Sequence, residues 1–216
     1  MKNINLFLLT VILSLSSIYS QNIKSPSEFL GYELGTQFSR HNQVVDYFKY
    51  VSSELSTKVI LEKYGETNER RPLYITYISS ENNIKNLEKI RTNNLNNAGL
   101  DGIKNDNYDN TAIVWLSYNV HGNESSSTEA AMKTLYKLVT ENSNWLDNTV
   151  VILDPCINPD GRDRYANWYN QNVTLPLNTD LDAREHNEPW PGGRANHYLF
   201  DLNRDWAWLT QKESRD

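Results

Sequence analysis

Hydrophobic positions fall into three kinds of run along the chain, and each kind predicts a different element. The first is a nearly continuous apolar stretch, Leu6 to Leu15, interrupted only by Thr10 and Ser14. Lys2 precedes it, and Ser16, Ser17 and Ser20 follow. It is too short to span a bilayer as a stable helix. A positive start, a short apolar centre and small residues at the end predict a secretory signal peptide over residues 1–20, cleaved between Ser20 and Gln21. Ile18 stands where a small residue is preferred, so a buried N-terminal strand or a retained membrane anchor is the competing reading. The second kind has helical spacing. Val44, Val45, Phe48, Val51 and Leu55 form one stripe over 41–55, and Ile84, Leu87, Ile90 and Leu95 form another over 83–95. The third kind is compact and β-prone: 57–64, 73–78, Ala112–Leu116 and Val150–Leu153.

Polar segments punctuate these runs. Gly65–Arg71 reads as a turn and 96–110, rich in Asn, Asp and Gly, as a surface loop. The unbroken run 112–116 predicts a central strand covered on both faces. Ser126-Ser127-Thr128-Glu129 fits a capping box that opens a helix with Ala130, Ala131, Leu135, Leu138 and Val139 inward. Asn158-Pro159-Asp160-Gly161 reads as a turn. Strand, helix and strand in that order predict an α/β fold with a mixed, mostly parallel sheet and helices on both faces. Beyond 161 the pattern dissolves into a long aromatic and polar stretch, which predicts a functional loop. No internal repeat, low-complexity tract or linker divides the chain into two domains.

Composition removes some functional classes. The chain has 216 residues, 38% hydrophobic and 22% charged, which is globular material. Lys and Arg number 21 against 27 Asp and Glu, with no basic run, so nucleic-acid binding is not expected. The single cysteine, Cys156, rules out an intramolecular disulfide and a cysteine-rich metal site. No stable membrane anchor is expected. The sequence sets no oligomeric state.

Two clusters could carry chemistry. His121-Gly122-Asn123-Glu124 follows the 112–116 strand, and ligand sites of open α/β sheets gather at the carboxyl ends of strands. An imidazole and a carboxylate three residues apart on a tight turn suit zinc, which takes mixed nitrogen and oxygen ligands. A helix-entry loop with a surface histidine is the plain alternative. In Asp201-Leu202-Asn203-Arg204, a guanidinium fork beside an amide donor suits a carboxylate ligand. Here the plain alternative is a structural ion pair between Asp201 and Arg204.

The order of the clusters adds to their meaning. A strand ending in His121-Gly122-Asn123-Glu124, then Asn158-Pro159-Asp160-Gly161, then Asp201-Leu202-Asn203-Arg204 resembles the zinc carboxypeptidases, the M14 metallopeptidase family of the carboxypeptidase A type. The chain looks like a secreted bacterial branch, with the likeness running over about 28–208, and the resemblance implies that 21–216 is the N-terminal part of a larger catalytic domain, incomplete at the C-terminus.

The resemblance implies a Zn²⁺ cofactor with His121 and Glu124 as two protein ligands, and Asp201 as the carboxylate that holds the His121 ring. It implies that Asn203 and Arg204 grip the substrate's terminal carboxylate. The function implied is hydrolysis of C-terminal peptide bonds by metal-activated water, on a peptide or protein substrate with a free C-terminal carboxylate. Many relatives carry an Arg where Asn123 stands. Arg162 and Arg164 lie close to the 158–161 turn and no Arg occurs between Tyr165 and Asp182, so Arg164 is taken for the oxyanion-stabilising role. In the family a third histidine ligand and a general-base Glu follow the Asn-Arg pair. No His follows His197, so both are expected to be missing from the 216 residues, which on their own are expected to be inactive. His186 and His197 are expected to be loop histidines and His41 a structural one. A secreted or periplasmic location is expected. Two other functions stay open: a zinc amide hydrolase acting on small acyl-amino acids, and a non-catalytic secreted module binding peptide or glycan. The aromatics Trp168, Tyr169, Trp190, Tyr198, Trp206 and Trp208 bear on the latter, with packing of a long loop as their plainer role.

Overall fold

The computed structural model describes residues 23–100 and 111–216. The signal peptide expected over 1–20, and most of the loop expected over 96–110, lie outside the described residues. Helices α1 (Pro26–Leu30) and α2 (His41–Glu54) precede a hairpin of β1 (Val59–Glu66) and β2 (Pro72–Ile78). Two short helices follow, α3 (Glu81–Lys85) and α4 (Leu87–Asn97), in place of the single helix expected over 83–95. Then come β3 (Ala112–Ser117), α5 (Ser126–Thr140), β4 (Thr149–Asp154), α6 (Pro159–Asn172) and α7 (Lys212–Arg215). Among the described residues no helix is long and apolar enough to cross a membrane.

The strands form one mixed sheet in the order β1-β2-β4-β3. β1/β2 and β2/β4 are antiparallel and β3/β4 is the single parallel pairing among the described strands, so the sheet is mixed as expected but there not mostly parallel, because β1 and β2 join as a hairpin and only β3 and β4 are linked by a crossover helix. One face carries Val59, Ile78, Val151 and Leu153 into a core completed by Val44, Phe48 and Val51 of α2 and Met132 and Leu135 of α5. Each such side chain contributes about 1.5–3 kcal/mol when fully buried. The other face is covered more thinly. Tyr64, Tyr77, Trp115 and Asp154 line a cavity of about 450 Å³ there, closed partly by Trp206 and Glu213.

Three expectations are corrected here. β3 is an edge strand among the described residues, not a covered central one, and Trp115 is 62% exposed. The strand flanked on both sides is β4. An apolar run identifies a strand but not its place in the order. The capping box at Ser126–Glu129 does not form. The cap is Ser125, without a side-chain bond, and Glu129 turns into the interior while Ala130 faces solvent. Finally, Asn158–Gly161 does not end in a loop. Asn158 caps α6, its Oδ1 accepting from Gly161 N at 2.9 Å with Pro159 in the first helical position, and the helix runs to Asn172.

Candidate metal and substrate site

Parallel pairing of β3 and β4 brings their carboxyl ends together, with Ser117 opposite Asp154. The ladder continues past the strands, since Tyr118 N donates to Asp154 O, Ile157 N to Tyr118 O and Asn158 N to Asn119 O. The two loops that follow therefore start in fixed register. Asn119 adopts φ 57°, a left-handed conformation that Asn tolerates better than most residues. Its Nδ2 donates to His121 O at 2.9 Å and Glu124 O at 3.2 Å, so one amide folds the whole 121–124 turn.

Close backbone approach fixes the turn from outside. A Cβ on Gly122 would stand 2.2 Å from Gly161 C and 2.4 Å from Gly193 O. A Cβ on Gly161 would stand 2.3 Å from Gly193 O. Three backbones meet where no side chain fits, which explains the glycines physically. Asn158 Nδ2 spans the same junction, donating to Val120 O at 3.3 Å and Arg194 O at 3.1 Å.

On this frame His121, which is 7% exposed, lies between two carboxylates. Its Nδ1 is 2.9 Å from Glu124 Oε1 and its Nε2 is 2.9 Å from Asp201 Oδ1. A neutral imidazole has one N–H and can serve only one of them as donor. With Nε2–H donated to Asp201, the Nδ1 lone pair and Glu124 Oε1 face each other across a gap suited to a cation. Two ligand atoms of a tetrahedral Zn²⁺ at ~2.0–2.1 Å stand roughly 3.3 Å apart, so a small outward shift admits the ion. The donor set therefore fits zinc.

Asp201 does not pair with Arg204. Its Oδ2 accepts from Arg194 Nη2 at 3.0 Å, and its Oδ1 also caps the turn at Asn203 N. Burial works against the Asp201 charge, but the hydrogen bonds from His121 and Arg194 outweigh it and hold the carboxyl below its usual range. Arg204 is exposed. Among the described residues its guanidinium donates to Asn203 O and forms no ion pair, and the side chain lines a groove with Phe200, Asp201 and Trp208.

Arg164 has the contacts of a loop brace, not those of a cation aimed at the His121–Glu124 pair. It donates to Gly192 O at 3.0 Å, Ala195 O at 3.4 Å and Asn196 O at 3.2 Å. The residue that reading the sequence passed over is Arg194. Its available signal was an arginine just after a Gly192-Gly193 pair and seven positions before Asp201. His186 and His197 are both exposed loop residues, bonded to Asn178 O and Glu69 respectively. His197, Glu69 and Asp160 bring ligand atoms within 4.8 Å of one another. Arg71 Nη1 already bonds both carboxylates there, so that cluster is built as an ion-pair network around an arginine. Buried His41 opens α2, with Nε2 on Pro72 O. The aromatics expected to pack inside a long loop divide. Trp168 packs against Tyr165 in a tilted contact and against Tyr169 edge-on, whereas Trp190, Tyr198 and Trp208 are 83%, 62% and 76% exposed.

A family model for zinc carboxypeptidase, Peptidase_M14, matches residues 44–216. The chain belongs to the zinc carboxypeptidase family. Its relatives there are metallocarboxypeptidases, which are hydrolases. Among curated proteins none matches the sequence. Solved structures similar to it include carboxypeptidase A from Helicoverpa armigera, 20% identical, covering 74% of this chain and 32% of that one, TM-score 0.46. A metallo-carboxypeptidase from Burkholderia cenocepacia is 15% identical over 83% of this chain and 36% of its own, TM-score 0.47. A metallo-carboxypeptidase from Pseudomonas aeruginosa is 16% identical over 83% and 35%, TM-score 0.44. The chain thus spans about a third of the length of these structures.

Proposed function

We propose that this chain carries part of the active site of an exported metallocarboxypeptidase that removes C-terminal residues from peptides. His121 Nδ1 and Glu124 would hold Zn²⁺, and Asp201 would keep the His121 ring in the tautomer that leaves Nδ1 free. Zinc in such a site supplies a Lewis acid and lowers the pKa of a coordinated water. The remaining work falls to side chains of this chain. Arg204, exposed and without an acidic partner among the described residues, would take the terminal carboxylate through its guanidinium fork, with the Asn203 amide beside it. Arg194 is a better candidate than Arg164 for stabilising negative charge developing on the scissile carbonyl. It is half-exposed, it borders the His121–Asp201 pair, and its Nη1 carries no bond among the described residues.

One observation carries the reading: Asp201 joins the two clusters. Its side chain holds His121, and its own backbone begins the turn that presents Asn203 and Arg204. The proposed ligand pair and the proposed carboxylate-binding cation are thereby joined through one side chain, which supports a reaction at a chain terminus.

The test is specificity for the terminal charge. In the full-length protein, Arg204→Ala should lower kcat/KM on a peptide with a free C-terminus by about 10–100-fold, the worth of a hydrogen-bonded charge contact of ~1.5–3 kcal/mol. The same peptide amidated at its C-terminus should be cleaved poorly and almost equally by both proteins. Unchanged discrimination in the variant would remove Arg204 from the role.

A further inference from the structure

The turn carrying the two expected ligands is also gripped at the residue between them. Asn123 Nδ2 donates to Glu188 Oε2 at 2.9 Å. The other oxygen of the same carboxylate accepts from Gly193 N in a short bond. Gly193 is followed by Arg194, whose guanidinium lies on Asp201, which in turn lies on His121. With Glu124 on the far side of the imidazole, the contacts form a closed circuit: Asn123, Glu188, Gly193, Arg194, Asp201, His121, Glu124 and back along the turn. A second observation marks the same carboxylate. A Cβ on Gly192 would stand 3.0 Å from Glu188 Cδ and Oε2, so the loop leaves room for this side chain and no other beside it. Glu188 has no cationic partner among the described residues, and both its oxygens serve N–H donors that point at the metal-binding turn and at the Arg194 loop.

We propose that Glu188 is a positioning residue for the metal site. By joining the Asn123 amide to the Gly193 backbone it seats Arg194 on Asp201 and thereby orients His121 and Glu124 toward a common ion. The proposal rests on the reading of His121 and Glu124 as zinc ligands. Its chemistry is specific, because only an acceptor at both ends of the 188 side chain satisfies two donors at once. An amide there must turn its NH₂ toward one of them.

The test uses Zn²⁺ affinity of the full-length protein, measured by competition with a chelating dye, and amide hydrogen exchange over residues 192–196. Glu188→Gln should weaken Zn²⁺ binding by about 10–100-fold, the usual consequence of losing a group that orients ligands. It should also speed exchange at 192–196. The paired exchange Glu188→Gln with Asn123→Asp reverses the polarity of the contact at constant charge, and should bring affinity back to within a few-fold of the parent. Asn123→Ala cuts the same bond from its other end, leaves the Gly193 contact alone, and should weaken binding too; it stands in if Glu188→Gln does not fold. Faster exchange with Zn²⁺ affinity within about twofold of the parent would overturn the proposal and leave Glu188 as a loop residue only. His121→Ala is the separate control. If it leaves Zn²⁺ affinity unchanged, the ligand reading has failed, and the proposal with it.

Discussion

Asp154 ends β4 with its side chain buried, accepting from Tyr64 Oη at 2.6 Å and Cys156 N at 2.9 Å. Burial dominates those bonds and pushes its pKa up to about 7. A carboxyl whose folded pKa lies above its unfolded value contributes stability that is complete below about pH 4 and is lost as pH rises through about 7. Asp154→Asn removes that titration. Thermal melts should therefore show the variant gaining on the parent between pH 5 and pH 8; a gap that does not change with pH would mean that Asp154 does not titrate there. Asp205 behaves in the opposite way. Burial opposes its charge, but bonds from Ser214, Thr210 and Gln211 prevail and hold it at about 2. At this scale the sequence made residue types legible, and their partners much less so. Asp201 was recognisable as an acid worth pairing, yet its cation is Arg194, seven residues earlier on the same segment, and not the neighbouring Arg204. Spacing along an irregular segment does not say which of two nearby arginines the backbone turns toward the carboxylate.

Between elements, one ion pair ties α5 to α6. Arg162 is fully buried and shares its guanidinium among Glu129, Ser39 O and Ser125 O. Glu129 in turn accepts from Ser39 N at 2.7 Å. Removing one partner strands the other charge, so Glu129→Ala should cost about 3–5 kcal/mol in chemical denaturation. A loss under ~1 kcal/mol would mean that water reaches Arg162 and the pair is dispensable. The same contact explains why the start of α5 was misread. The Ser-x-x-Glu spacing is that of a capping box, but the helix begins one residue beyond Ser125, and Arg162 draws Glu129 inward. α6 was missed for a related reason. Its buried residues include Gly161, Arg162 and Asp160, so no apolar stripe marks it, although Asn158 and Pro159 supplied start signals. α2 and α5, whose inward stripes are apolar, were legible.

At the scale of the molecule, the order of three short motifs led to the right family, while the apolar runs gave the strands without their order. β3 looked central by composition and stands at an edge, beside a sheet face where Trp115 and Asp154 line an open cavity. What unites the whole is the meeting of two loops and the start of α6 at Gly122, Gly193 and Gly161, which sets His121, Glu124, Asp201 and Arg194 around one point. If that point is a metal centre, metal content reports on it more directly than any rate. The deciding measurement is the zinc-to-protein ratio of the full-length protein and of its His121→Ala, Glu124→Ala double variant after equal dialysis. A ratio near one that falls to about a tenth or less in the folded variant is expected; full zinc content in the variant would contradict the assignment.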